Sequence, residues 1–93
     1  MAQIFIGDVG TEIILECGVD VSSATVKYVI ARGPRGPKLT WVAVLDTPTA
    51  IKYAIQVGDI TQPGEWSFQS YVEMPGWKGF GEIAMLTVKA PLT

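Results

Sequence analysis

Gly58-Asp59-Ile60-Thr61-Gln62-Pro63-Gly64-Glu65-Trp66-Ser67-Phe68, continuing through Gln69-Ser70-Tyr71-Val72-Glu73, is the stretch that decides the fold. A polar corner holding a proline and two glycines leads into Trp66, Phe68, Ser70 and Val72, which alternate with Ser67, Gln69 and Glu73. A period of two belongs to a strand half-buried against one core. The same period recurs on either side of this stretch. Ile13-Leu15-Cys17 lie opposite Glu12 and Glu16, and Ile51-Tyr53-Ile55-Val57 opposite Lys52 and Gln56. No window of about a dozen residues keeps helical spacing without a glycine or proline cutting it, so no helix is expected.

Turn chemistry divides the chain into seven predicted strands. They are Gln3–Ile6, Thr11–Cys17, Ala24–Ala31, Leu39–Leu45, Ala50–Val57, Glu65–Glu73 and Gly81–Lys89. Between the third and fourth, Gly33-Pro34-Arg35-Gly36-Pro37 forces a loop, because its prolines lack N–H donors and restrict the residues before them. A polar corner followed by a large aromatic at the start of the penultimate strand is the arrangement seen before strand F of immunoglobulin-like sandwiches. Trp66 would take the aromatic role, and Phe68 would sit where an antibody domain has a cysteine. The expectation is one all-β domain over residues 1–93, an Ig-like β-sandwich of about seven antiparallel strands.

Composition removes several functions. Of 93 residues 48% are hydrophobic and 17% charged, too apolar for a disordered chain. Seven basic residues against nine acidic ones give a net charge of −2, which offers no electrostatic case for nucleic acid or an anionic membrane. The lone Cys17 cannot form an internal disulfide. The first residues lack a basic region and are interrupted by Gly7, Asp8 and Gly10, unlike a signal peptide. The longest apolar run, Trp41 to Leu45, is far short of the ~20 residues that span a bilayer.

Catalysis is not expected. There is no histidine to serve as general base or metal ligand, and Cys17, in register with Ile13 and Leu15, reads as an inert thiol. Asp8, Asp20, Asp46 and Asp59 fall in turns, where their side chains cap backbone N–H groups. No calcium-loop spacing is present, and no metal or other cofactor is implied.

Three features suggest contact with a partner. Arg32, Arg35 and Lys38 gather in the proline-stiffened loop, which is either a solvated hairpin tip or a docking loop for an acidic surface. Met74-Pro75-Gly76-Trp77-Lys78-Gly79-Phe80-Gly81 reads as a second loop. Its Trp77 and Phe80 either plug the end of the sandwich or stand out as contact anchors, with a glycan platform on Trp77 as a further use. Several strands are also apolar on both faces, where a monomeric sandwich normally has one polar face. If Val26, Tyr28 and Ile30 face the core, Val29 and Ala31 lie outside. Val42 and Val44 share one strand face opposite Trp41, Ile83 and Met85 stand opposite Ala84, Leu86 and Val88, and Ile14 interrupts an acidic face. Bending strands would instead return some of these residues to the core.

The opening Ile4-Phe5-Ile6-Gly7-Asp8-Val9-Gly10-Thr11, the segment Val19-Asp20-Val21-Ser22-Ser23-Ala24-Thr25 and the Gly58–Glu73 stretch together resemble small Ig-like proteins of tailed bacteriophages and prophages. The group is similar to the N-terminal domain of phage baseplate upper proteins. The resemblance implies a non-enzymatic virion protein, made in the bacterial cytoplasm, that docks onto tail, baseplate or capsid proteins. The apolar strand faces also leave self-association open. The baseplate protein continues past this domain whereas this sequence stops at Thr93, which implies a free-standing ring, collar or head decoration. Contacts are expected at Arg32, Arg35, Lys38, Val42, Val44, Trp77 and Phe80. The competing reading is a carbohydrate-binding module that aids adhesion to a host surface.

Overall fold

Alternation over Gly64–Met74 produces a strand whose Trp66, Phe68, Ser70 and Val72 are buried while the residues between them face outward. The computed structural model describes residues 4–90, and every regular element among them is a strand. In chain order these are β1 (Ile4–Phe5), β2 (Glu12–Glu16), β3 (Val26–Arg32), β4 (Leu39–Val42), β5 (Val44–Thr47), β6 (Ala50–Ala54), β7 (Gly64–Met74) and β8 (Trp77–Lys89). A five-stranded sheet, β1-β8-β7-β3-β4, packs over a three-stranded one, β2-β6-β5, as a β-sandwich. All pairings are antiparallel except β1 with β8, which is parallel and corrects the all-antiparallel expectation.

Eight strands replace the predicted seven because Leu39–Leu45 is divided. Its first part, β4, pairs with β3 in the larger sheet, and its second, β5, pairs with β6 in the smaller. Buried Ala43 sits at the crossing, where its N–H donates to the Lys27 carbonyl at 2.9 Å. Val42 and Val44 therefore belong to different sheets, contrary to their predicted shared face. The faces of β3 are also the reverse of those supposed. Val29 and Ala31 are fully buried, while Val26, Tyr28 and Ile30 are half-buried on the outer side. Val57 is 84% exposed, because β6 ends at Ala54 and the chain has already turned away from the core. The loop predicted over Met74–Gly81 is strand on both sides of a two-residue turn, Pro75-Gly76. A proline followed by a glycine at φ 81 suits a type II turn and pairs Met74 with Trp77.

The core is a run of aromatic contacts between the sheets. The Trp66 and Phe68 rings stack at 6.2 Å, Phe68 meets Trp41 at 6.2 Å, and Trp41 stacks on Tyr53 of the opposing sheet at 4.7 Å. Burying a side chain such as Phe68 contributes about 1.5–3 kcal/mol. Trp66 also anchors the proline-rich loop. Its indole N–H donates to the Gln62 carbonyl at 3.0 Å, and its ring lies where a side chain at Gly33 would stand, 2.9 Å from such a Cβ. The Gln62 amide in turn donates to the Arg35 carbonyl at 2.8 Å. The loop is thus bound to the corner before β7.

That corner is held by a carboxylate. Asp59 accepts from the Tyr53 hydroxyl at 2.5 Å and from the Gln56 N–H at 2.8 Å. Asp20 accepts from the Ser22 N–H and hydroxyl, and Asp8 from the Phe5 N–H, as turn aspartates do. Asp46 departs from its expected turn role: it lies in β5 and pairs with Lys52 at 3.7 Å. Cys17 is half-buried against the core.

Burial, then the hydrogen bond to Asp59 and its charge, push the Tyr53 phenol up to about 12. Its unfolded value is about 10. Between those values the folded protein keeps a proton that the unfolded chain has lost. The contribution is complete below pH about 10 and falls as pH rises towards 12. Urea midpoints followed from neutral pH into that window should fall more steeply for the wild type than for Tyr53→Phe. Equal slopes would contradict this role for the phenol.

Candidate docking face

Cross-strand register places side chains in rows on the outer face of the five-stranded sheet. Val42 of β4 opposes Tyr28 of β3, Tyr28 opposes Tyr71 of β7, and Tyr71 opposes Phe80 of β8. Directly opposed residues project to the same side, so these four form one row across the sheet. The Tyr28 and Tyr71 rings lie 6.2 Å apart, and Tyr71 and Phe80 4.9 Å apart. The next row is Thr40, Ile30, Gln69 and Ile83, and the one after it Arg32, Ser67 and Met85.

A bulge makes these rows continuous. Gln69 opposes Ile83 but Tyr71 opposes Phe80, so Ser70 faces two residues of β8, Gly81 and Glu82. One extra residue reverses the inside–outside alternation. Without it, Phe80 would share the inner side of Ala84, Leu86 and Val88. A Cβ at position 81 would fall on the hydroxyl of buried Ser70, so a side chain there would force that serine to move. The result is an outer face on which Val42, Phe80, Ile83 and Met85 are 74%, 63%, 62% and 61% exposed. Large apolar side chains at that exposure, contiguous on one face, make it the candidate docking face.

The outer face of the smaller sheet differs in kind. Ile14, Lys52 and Val44 form a row there, and Lys52 pairs with Glu12 at 3.5 Å and with Asp46. Those charges give that face a solvated character despite the exposed Ile14 and Val44.

The seven candidate contact residues are all exposed, but they do not form one site. Val42 and Phe80 belong to the aromatic row. Arg32 and Lys38 flank the same face farther along, whereas Arg35 lines a separate hollow with Pro34, Thr61, Gln62 and Pro63. Val44 is on the opposite sheet. Trp77 lies on the other side of the β7–β8 hairpin from Phe80, its ring over Gly79, where a Cβ would come within 2.8 Å of the indole. Neither aromatic plugs the sandwich. Sequence reasoning missed Tyr28, Tyr71 and Ile30, whose role emerges only from cross-strand neighbours. The Tyr71 hydroxyl donates to Glu73 at 2.7 Å, and this bond, then desolvation, raises its pKa. No protein-family model matches the chain, and no curated protein matches it.

Placing lysine at positions 42 and 44 tests the division between the sheets. In amide NMR spectra, Val42→Lys should shift Tyr28, Thr40 and Tyr71, and Val44→Lys should shift Ile14, Lys52 and Glu12. Coincident sets of shifted residues would mean that the two valines share a face.

Proposed function

We propose that this protein is a non-enzymatic structural module of a tailed-bacteriophage particle, docking onto tail, baseplate or capsid proteins through the outer face of its five-stranded sheet. The observation that carries the docking reading is the contiguous row Val42–Tyr28–Tyr71–Phe80, continued by Ile30, Ile83 and Met85. The resemblance of the Ile4–Thr11, Val19–Thr25 and Gly58–Glu73 segments to small phage proteins supplies the virion assignment. An Ig-like identity for the sandwich has its own support. The order β8-β7-β3-β4 over β2-β6-β5 is similar to GFCC′ over BED of such sandwiches, with β1 placed beside β8 instead of β2. The Trp66 N–H, bonded back to Gln62, takes the place of the corner tyrosine hydroxyl.

Docking by such a face needs no catalytic group and suits a protein repeated by symmetry around a particle. A carbohydrate-binding role rests on Trp77 as a single exposed ring and ranks behind. In its place of action the chain is part of the virion, after synthesis in the bacterial cytoplasm.

Mass spectrometry of purified particles from the encoding phage or prophage tests this directly. The chain should be recovered at a fixed ratio to the other structural proteins. The double variant Tyr71→Glu, Phe80→Glu should be depleted from particles by about tenfold or more, while its urea midpoint stays near that of the wild type. Particles lacking the chain, or a variant incorporated normally, would contradict the proposal.

A further inference from the structure

Beside the aromatic row the outer face dips into a trough of about 250 Å³, lined by Ile30, Arg32, Lys38, Ser67, Gln69 and Ile83. Its shape follows from the register. Ile30 of β3 and Ile83 of β8 stand on either side of Gln69 and form two aliphatic walls. Gln69 does not fill the space between them, because its amide is drawn along β8 to the Gly81 carbonyl at 2.8 Å. In the next row the small Ser67 opposes Arg32 and leaves the floor low. The bulge therefore serves twice: it turns Phe80 outward, and its Gly81 carbonyl holds Gln69 aside.

The charged residues that line the trough are of one sign. Arg32 and Lys38 are exposed on the trough, and the two ion pairs among the described residues both belong to Lys52. The outward carboxylates of β7 keep their charge but stand outside the lining. Glu65 accepts from Thr87 at 2.9 Å, and Glu73 accepts from Tyr71 at the far end. A chain of net charge −2 thus presents two cations beside a trough with aliphatic walls and a polar floor.

We propose that this trough binds an aspartate or glutamate side chain of a partner protein, set among large apolar residues. The carboxylate sits between the Arg32 guanidinium and the Lys38 ammonium, and its apolar neighbours cover Ile30, Ile83 and the Tyr28–Tyr71–Phe80 row. The inference rests on the docking reading above and names the chemistry of the partner. Charge complementarity selects an acidic partner over a second copy, whose own Arg32 and Lys38 would add like charge to an interface of this kind. Charge-assisted hydrogen bonds at a partly desolvated rim hold the carboxylate, and apolar contact supplies most of the affinity. Arg35, turned towards Gln62 and Pro63, has no part in it.

The test is selection of a random library of peptides about 12 residues long against the immobilised full chain. Enriched peptides should share an acidic residue flanked by aromatic or large aliphatic ones, and amide shifts on binding should centre on Ile30, Gln69 and Ile83. Affinity of a synthetic winner should fall about tenfold in the double variant Arg32→Ser, Lys38→Ser and several-fold at about 0.3 M salt. Arg35→Ser should change it less than about twofold. No enrichment, winners without acidic residues, equal loss in Arg35→Ser, or preference for an oligothymidylate probe would each overturn the proposal. Peptide binding with no chain in purified particles would sink the virion assignment and leave the trough standing.

Discussion

Strand β7 is paired with β8 from end to end and with β3 over Ser67–Glu73, and the alternation of its residues is the constraint from which the rest follows. One set, Trp66, Phe68, Ser70 and Val72, builds the interior. Through Phe68 and Trp41 it reaches Tyr53 of the opposing sheet. Stacked aromatic pairs of this kind add about 0.5–1.5 kcal/mol each beyond the area they bury. The other set, Ser67, Gln69, Tyr71 and Glu73, is the central column of the outer face. Because a slip of one residue would exchange the two sets, core and outer face are specified together.

The bulge opposite Ser70 extends that logic to β8. Strand pairing alone would carry Phe80 inward, leaving the aromatic row without its end and the core with an extra ring to house. Two residues facing one restore Phe80 to the outer side. Ser70 and Gly81 are matched to that task, since the serine occupies the space a side chain at Gly81 would need. Stability and surface chemistry thus meet at one irregularity.

Much of the architecture was legible in the sequence. Alternation identified the inward faces of β2 and β7, and the exposure of Ile14, Ile83 and Met85 agrees with their expected outward positions. The failures have a common cause. Where both faces of a strand are apolar, period two says nothing about which is inside, and so the faces of β3 were reversed. Trp41 to Leu45 is apolar throughout, and nothing in that run marks small Ala43 as the point of crossing between sheets. Pro75-Gly76 carried the signal for a tight turn, but the glycines at 79 and 81 lengthened the loop on paper. Those glycines answer to Trp77 and Ser70, neighbours that sequence spacing does not reveal. The trough between Ile30 and Ile83 is built from three strands and had no linear signature.

A through-space NMR map of the side chains bears most directly on this arrangement. Contacts linking Phe80 to Tyr71, Tyr71 to Tyr28, Tyr28 to Val42, and Ile83 to Gln69 are expected together. Contacts from Phe80 to inward Val72 instead, or from Val42 to Lys52, would mean that the bulge or the sheet crossing is misplaced and that the outer face does not exist in this form.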